Sequence, residues 1–227
     1  DYKESLKWFR LAAEQGQANA QVSLGLIYDQ EKGVPQNYKE ALKWFRLAAK
    51  QGSANAQSNM GMMYSDGLGV EQDYKEAVRW YRLSADQGDA TGQSNLGTMY
   101  ENGWGVPQDY KEAVKWYRLS ADQGDSFGQS NLGLMYGKGQ GVSQDYKEAL
   151  KLFQRAVKNG DSFAEKYVQI TKEKLEEQRV ALQQKRLAEE KRLAEEQRLA
   201  EEQRLAEEKL AEEKRLAEEK RLTEEEK

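Results

Sequence analysis

Apolar residues recur at helical spacing through most of the chain, and the whole pattern returns every 36 residues. One such segment runs from Ala41 through Trp44 and Phe45 to Ala48, which places the apolar side chains on one face of a helix. The copies of this segment begin at Tyr2, Tyr38, Tyr74, Tyr110 and Tyr146. A fixed period of this length is typical of a chain that stacks one supersecondary unit, because a single unit cannot bury its apolar face alone.

The repeat predicts a domain of stacked units over 1–171, with two helices in each full unit. The predicted units are a half repeat at 1–16, full repeats at 17–52, 53–88, 89–124 and 125–160, and a capping helix from 161. In the capping helix, Gln169 replaces the glycine and Lys172 replaces the tyrosine of the preceding units. We therefore expect it to pack on the preceding unit and to offer little to a following one.

The second helix of each unit carries signals at both ends. Asp73 is predicted to accept a backbone N–H at the N-cap, and Glu76 three residues later completes a capping box. Gly88 is predicted to take the left-handed conformation that ends a helix. The equivalent residues in the other units are Asn37, Glu40 and Gly52, then Asp109, Glu112 and Gly124, then Asp145, Glu148 and Gly160.

The first helix of each unit follows the pattern Ala-Gln-x-x-Leu-Gly-x-x-Tyr, seen at 20–28. Its alanine, leucine and tyrosine share one face, which predicts contact with the second helix. A glycine in the middle of a helix costs about 1 kcal/mol relative to alanine. Because this cost recurs in four helices, we expect close backbone approach at the glycines, which are Gly25, Gly61, Gly97 and Gly133.

A Gly-x-Gly loop joins the two helices of a unit, as in Gly67-Leu68-Gly69. It lacks the preceding strand and the Lys-Ser/Thr of phosphate-binding loops, so it predicts a tight turn. The first unit departs from the pattern, because Glu31 stands where Gly67 stands in the next unit. Trp104 occupies the position of Leu68, where it either packs over the adjacent loop or forms an exposed contact.

These motifs resemble the Sel1-like repeat, a relative of the tetratricopeptide repeat. The likeness lies in the Leu-Gly-x-x-Tyr, Gly-x-Gly-Val and Lys-Glu-Ala-x-x-Trp-Tyr/Phe segments, and it covers about 1–160. It implies an all-α fold, a right-handed α/α solenoid, that acts as a scaffold or adaptor for other proteins. Some Sel1-like proteins with cysteine-stapled repeats are associated with penicillin binding or hydrolysis. This chain lacks those cysteines and an activated serine, so that activity is a remote alternative.

The composition narrows the chemistry further. The chain has no cysteine and no histidine, so no Cys/His zinc site, thiol nucleophile or Ser-His-Asp relay is expected, and we predict no catalytic, metal or cofactor site. Basic and acidic side chains number 35 and 39 without a basic stripe, which argues against nucleic acid. No apolar run approaches the ~20 residues that span a bilayer. Residue 1 lies inside a repeat, so we expect the natural chain to begin upstream.

Residues 172–227 form a tail of Glu, Lys, Arg, Leu, Ala and Gln, in which the leucines stand mostly six residues apart. Six residues turn a helix through 600°, so successive leucines lie 120° apart and form no coiled-coil seam. This predicts a monomer. Ion pairs Lys185–Glu189, Arg192–Glu196 and Glu189–Arg192 favour a long single helix that serves as a spacer. A disordered tail and a self-associating tail are the alternatives.

The candidate binding surface is the face of the first helices that is turned away from the second helices. Stacked units align such positions along their concave side. Asparagine amides there can donate to and accept from an extended peptide backbone, between apolar anchors. The alternative is that the asparagines only bond neighbouring helices. The candidate residues are Asn55, Asn59, Met62, Asn95, Thr98, Phe127, Asn131 and Leu134.

The sequence therefore predicts a non-enzymatic adaptor that binds a protein or peptide on the concave face of its solenoid. The charged helix would set the distance between the solenoid and whatever the tail reaches. The main alternative is a structural spacer protein without a dedicated peptide site.

Overall fold

The computed structural model describes residues 2–30 and 34–225, with side chains at 6–30 and 34–221. Glu31, which departs from the repeat, lies outside the described residues. The helices are α1 Tyr2–Glu14, α2 Ala18–Asp29, α3 Tyr38–Lys50, α4 Ala54–Asp66, α5 Tyr74–Asp86, α6 Ala90–Asn102, α7 Tyr110–Asp122, α8 Ser126–Lys138, α9 Tyr146–Lys158 and α10 Ala164–Glu225. The all-α solenoid fold, followed by a long charged helix, is confirmed.

The chain divides into two compact units, Asp1–Glu173 and Lys174–Lys227. In the first unit, the first helices α2, α4, α6 and α8 each pack on the second helix that follows and on the one that precedes. Successive first helices α4, α6 and α8 also contact each other, whereas successive second helices do so much less. Helices on the inside of a curved stack lie closer together than those on the outside. The first helices therefore line the inner side of the stack.

The N-caps of the second helices form as predicted, but the reciprocal half of the capping box does not. The Asp73 carboxylate accepts from the backbone N–H of Lys75 and Glu76. The backbone N–H of Asp73 donates instead to the carbonyl of Tyr64, 2.9 Å away, at the end of the preceding helix. Glu76 has no N–H left to cap and pairs with Arg79 at 2.7 Å. The capping-box prediction was wrong in this half because tertiary contact supplies the acceptor.

The glycines that end the second helices take the left-handed conformation, as predicted. Their φ values are 87° at Gly52, 89° at Gly88, 90° at Gly124 and 97° at Gly160. The loop glycine Gly105 also has a positive φ, and it faces the backbone of Tyr74. A Cβ at Gly105 would lie 2.3 Å from the Tyr74 carbonyl oxygen of the preceding unit, so only glycine fits this turn between α6 and α7.

The glycines inside the first helices face aromatic rings and not the helix backbones that we expected. A Cβ at Gly61 would lie 2.5 Å from the ring of Tyr81, and one at Gly25 would lie 2.5 Å from Phe45. The rings of Tyr117 and Phe153 cover the other two glycines in the same way. Each glycine thus leaves the space that one aromatic ring from the second helix of the same unit occupies.

The aromatic pairs of the second helices divide between two roles. Phe45, Tyr81 and Tyr117 are buried within their own units. The neighbouring tryptophans lie where units meet: Trp80 packs against a cluster that combines residues of its own unit with those of preceding units, and Trp116 packs against a second cluster of this kind. The prediction that these aromatic residues form the core holds for the buried Trp44, Phe45, Tyr81 and Tyr117, whereas Trp80 and Trp116 are half-buried.

Buried glutamines form a polar connection between units that the sequence analysis did not identify. Gln57 Nε2 donates to the carbonyl of Ala49 in the preceding second helix, at 3.4 Å. Its Oε1 accepts from Gln87 Nε2 at 2.6 Å, at the end of the second helix of its own unit. Gln93 and Gln123 repeat this arrangement. These bonds satisfy carbonyl and amide groups that burial would otherwise leave unpaired.

The first turns of α10 close the first unit. Ala164 is buried, and Tyr167 stacks on Phe153 with ring centroids 5.2 Å apart. Thr171 is buried as well. This segment packs on Phe153 and Ala156 of α9.

The second unit continues as α-helix with its leucines exposed. Leu187 is 51% exposed and Leu205 is 45% exposed. Arg192 pairs with Glu189 at 2.6 Å and with Glu196 at 3.8 Å, as predicted. The predicted pair between Lys185 and Glu189 is absent from the described residues, because Glu189 pairs with Arg192 instead. The helical tail is confirmed over the disordered alternative.

Candidate binding surface

The candidate residues lie on one exposed face of α4, α6 and α8, which we call the inner stripe. It consists of Asn55, Asn59, Met62, Asn95, Thr98, Phe127, Asn131 and Leu134. Asn55 and Phe127 are exposed and the other six are half-buried, so every member reaches solvent. The helices that carry the stripe are those that line the inner side of the stack.

The asparagines of the inner stripe differ in their hydrogen bonds. Asn59 Nδ2 donates to the carbonyl and to the side-chain oxygen of Asn55, both at 2.8 Å, within its own helix. The side-chain amides of Asn95 and Asn131 make no hydrogen bond to any described residue. None of the three bonds a neighbouring helix, so the structure does not support that alternative. Two amides are left with unused donors and acceptors on this face.

Thr98 connects the stripe to a buried tyrosine. Its Oγ1 lies 3.2 Å from the Ser94 carbonyl and 3.1 Å from the Tyr117 hydroxyl. That hydroxyl donates to Glu101 Oε2 at 2.6 Å. Burial, reinforced by the negative charge of Glu101, raises the pKa of Tyr117 well above its ordinary value. Burial and Asp66 raise the pKa of Tyr81 in the same way. Both phenols stay neutral, and their positions in the core suit structural bonds and not proton transfer.

Sequence reasoning missed the part of this face that lies one helical turn further on. Asp66, Asn102 and Lys138 stand at equivalent positions at or near the ends of their helices, and all three are exposed. The same angular count that selected the inner stripe reaches them if it is extended by one turn. Lys138 makes no ion pair with any described residue.

By the 36-residue period, positions of the inner stripe recur after the last full unit. Phe163 is equivalent to Phe127 and is 77% exposed, and Ile170 is equivalent to Leu134 and is 48% exposed. The 36-residue period relates each pair, but the sequence analysis treated this segment as a cap only. The exposed aromatic residues at these positions, Phe127 and Phe163, thus come after the third full unit, whereas the asparagines extend from Asn55 to Asn131.

Trp104 lies apart from the inner stripe. Its ring stacks on Tyr74, with centroids 5.4 Å apart and an interplanar angle of 13°. The side chain is still 41% exposed. It packs on the first residue of α5 in the preceding unit and not over the adjacent loop, and it keeps one part of its surface in solvent.

The described residues hold no group of three or more His, Cys, Asp or Glu side chains placed to bind a metal ion. No described helix is long and apolar enough to cross a bilayer.

Comparison with known proteins gives the family. The Sel1 repeat model matches the chain at 1–17, 18–53, 54–89, 90–125 and 126–161. Sel1 repeat proteins generally mediate protein–protein interactions and are typically non-enzymatic scaffolds. No curated protein matches the chain significantly.

Solved structures agree with this assignment. A Sel1 repeat protein from Oxalobacter formigenes is 39% identical with a TM-score of 0.68, over 72% of this chain and 65% of that protein. The protein c5321, a protective antigen of uropathogenic Escherichia coli, is 40% identical with a TM-score of 0.66, over 74% of this chain. The chain spans only 36% of c5321. A Sel1 repeat protein from Klebsiella pneumoniae, at 19% identity and a TM-score of 0.52, shares the fold. The chain belongs to the Sel1 repeat family.

Proposed function

We propose that this chain is a non-enzymatic adaptor that binds an extended segment of a partner protein along the inner stripe. The observation that carries the proposal is the pair of unbonded amides, Asn95 and Asn131, at equivalent positions of successive units. A side-chain amide offers one acceptor and two donors, which match the carbonyl and N–H groups of an extended backbone. Their regular spacing suits a ligand that also repeats along its length.

Apolar anchors accompany the amides at one end of the stripe. Phe127 is 48% exposed, and Leu134 is half-buried beside it on α8. A partner side chain placed there would bury aromatic and aliphatic surface, which is the usual source of binding energy at an interface centre. The partner segment is thus expected to place an apolar residue against the fourth unit and to bond through its backbone to the amides of the third and fourth units.

Two features support an adaptor over an enzyme. The pKa of Tyr117 is raised by burial in the core, and its hydroxyl is bonded to Glu101. The inner stripe itself offers amides, a hydroxyl and apolar side chains, none of which is an activated nucleophile or a general base. The tail leucines lie around the whole helix, which supports a monomeric adaptor.

The test uses partners captured from a cell extract by the full chain, quantified by mass spectrometry. A variant with Asn95→Ala and Asn131→Ala and a second with Phe127→Ala and Leu134→Ala should each lose the same partner by about tenfold. The control variant carries Leu83→Ala and Leu119→Ala, which remove equally exposed apolar residues from the second helices. A partner that every variant captures equally well does not bind the inner stripe.

The second candidate function, a structural spacer, rests on the tail. Residues 174–225 are helical, and a helix of this length extends about 80 Å. Deleting 174–227 separates the two functions. An adaptor whose activity resides in the inner stripe keeps its partner and its cellular role, whereas a spacer keeps the partner but loses the role.

A further inference from the structure

Each first helix of the full units contains one charged residue, and that residue lies at the C-terminal end of the helix. The four residues are Asp29, Asp66, Glu101 and Lys138. Three of them are the last residue of their helix, and Glu101 is the residue before the last. The second helices, in contrast, carry several charges each. The charge of the first helices is therefore negative in the first three units and positive in the fourth.

The charges of the second and fourth units continue the inner stripe. Asp66 follows Met62 by four residues, and Lys138 follows Leu134 by four residues, so each lies about one helical turn beyond a member of the stripe on the same face. Both charged side chains are exposed. A segment that lies on the stripe therefore passes beside both of them.

Glu101 borders the stripe at the third unit. The Tyr117 hydroxyl donates to Glu101 Oε2 at 2.6 Å and lies 3.1 Å from Oγ1 of Thr98, a member of the stripe. This bond positions the carboxylate and leaves Glu101 Oε1 without a hydrogen bond from any described residue. The third unit thus holds a negative charge in a defined place beside the stripe.

Helix stability does not account for the two acidic residues. The C-terminal end of a helix carries a partial negative charge, which disfavours Asp66 and Glu101 there and favours Lys138. None of the three makes an ion pair with any residue that the structure describes. Their charges are therefore open to a partner.

The fourth unit differs from the third at both positions that determine this charge. Gly137 stands where Glu101 stands, and Lys138 stands where Asn102 stands. The acidic residue is thus absent and a cation is present on the helix that also carries the apolar anchors of the stripe. The fourth unit combines apolar side chains with a positive charge, whereas the units before it carry negative charge.

We propose that charge fixes how the partner segment lies on the inner stripe. An aspartate or glutamate beside its apolar residue pairs with Lys138, and a lysine or arginine nearer its other end pairs with Asp66 or Glu101. This inference rests on the proposed function. Successive first helices contact each other, so their axes lie about 8–10 Å apart, and an extended chain advances about 3.3 Å per residue. The two charges of the segment are thus expected about three to six residues apart.

The test begins with peptides selected from a random dodecapeptide library displayed on phage, with the full chain as the target. A selected peptide is synthesised with an acetylated N-terminus and an amidated C-terminus, so that only its side chains carry charge. Isothermal titration calorimetry at low salt gives its affinity. We expect the selected peptides to carry an apolar residue, an acidic residue beside it, and a basic residue about three to six positions away.

Charge reversals in the chain locate the two contacts. Lys138→Glu should weaken peptide binding by about fivefold, and a peptide whose acidic residue is changed to lysine should recover most of that loss. Asp66→Lys should weaken binding by about threefold if the basic residue lies on the second unit, and Glu101→Lys should do so if it lies on the third. Both losses should shrink in 0.5 M NaCl, because salt screens exposed charges.

Matched controls make the same charge changes on the second helices. Lys158→Glu and Asp86→Lys alter exposed residues that are the last of α9 and α5. Each should change the affinity by less than about twofold, since neither lies on a first helix. A loss at these positions equal to that of Lys138→Glu would show a general effect of net charge and would overturn the inference.

The remaining outcomes separate this inference from the proposed function. If Asn95→Ala with Asn131→Ala weakens peptide binding but no charge reversal does, the inference is wrong and the proposed function stands. If the library yields no binding peptide, or its peptides bind every variant equally well, both are wrong. A dimer of the chain that Lys138→Glu dissociates in analytical ultracentrifugation would also overturn the inference, because the stripe would then hold a second copy.

Discussion

The described parts of residues 1–173 and 174–227 are both mainly helical, but their side chains stabilise the helices in different ways. In the first region, helices of 12 or 13 residues bury an apolar face against their neighbours in sequence and the units beside them. In the second, one long helix keeps leucines such as Leu199 nearly half exposed and relies on ion pairs three or four residues apart. The comparison separates stability that comes from tertiary packing from stability that is local to one helix.

The two regions also differ in whether their surfaces can bind a partner specifically. Packing fixes the positions of Asn95, Phe127 and Asn131 relative to each other, so a partner can recognise their spacing. The tail repeats the same few side chains around its whole circumference, so it offers no distinct face. The proposed binding surface depends on the packed side chains of the first region, and the proposed spacer depends on the uniform helix of the second.

The largest difference between the two regions is expected in the free energy of unfolding, when one large apolar side chain in each is replaced by alanine. Phe45→Ala removes a fully buried ring and should lower the free energy of unfolding by about 3–5 kcal/mol. Leu199→Ala removes a side chain that is 45% exposed and should change it by less than about 0.5 kcal/mol. Urea unfolding is followed by tryptophan fluorescence for the first region, since every tryptophan lies there, and by circular dichroism for the tail. Similar losses at both sites would contradict the account.

Two glycines in α8 test whether packing outweighs helix propensity. A Cβ at Gly133 would lie 2.8 Å from the Phe153 ring, whereas one at Gly137 would meet Ala149 only at 3.9 Å. Gly133→Ala should therefore destabilise the first region by about 1–3 kcal/mol. Gly137→Ala should leave it unchanged or stabilise it by up to about 1 kcal/mol. Urea midpoints of the two variants measure this difference. If Gly133→Ala stabilises the chain as much as Gly137→Ala does, the ring is not held against the helix.

The smallest effect is expected from an ion pair in the tail. Arg192→Gln removes pairs with Glu189 at 2.6 Å and Glu196 at 3.8 Å while keeping a good helix former. Each pair contributes about 0.2–0.5 kcal/mol, so amide exchange near this residue should accelerate by less than about fivefold at low salt. In 1 M NaCl the difference in exchange rate should vanish, because the Debye length is then only about 3 Å and these exposed charges are screened from each other. An effect that persists in high salt would point to packing contacts in the tail.

Much of the fold followed from the sequence because its signals are local and repeated. The period fixes the unit, Asp73 and its equivalents mark where second helices begin, and Gly88 and its equivalents mark where they end. The exposed face of the first helices followed from the angular spacing of residues along a helix. These signals can be recognised within one helix, without knowing which residues of other helices pack against it.

The features that were missed depend on contacts between elements. The sequence shows that Gly61 is costly in a helix, but only packing shows that the Tyr81 ring covers it. The N–H of Asp73 bonds the Tyr64 carbonyl, a partner that no local motif predicts. Phe163 was predicted to be part of the cap, and only the structure shows that its side chain is exposed, as that of Phe127 is.

Amide hydrogen exchange on the full chain tests the central claim most directly, that buried seams stabilise the first region and local pairs alone stabilise the second. The account predicts that amides at Leu24, Met60, Leu96 and Leu132 exchange only through unfolding of the stack. Tail amides from 185 to 215 should exchange faster by several orders of magnitude, since fraying opens them locally. Protection in the tail equal to that of Met60 would contradict the account, because it would require a partner surface over the exposed leucines.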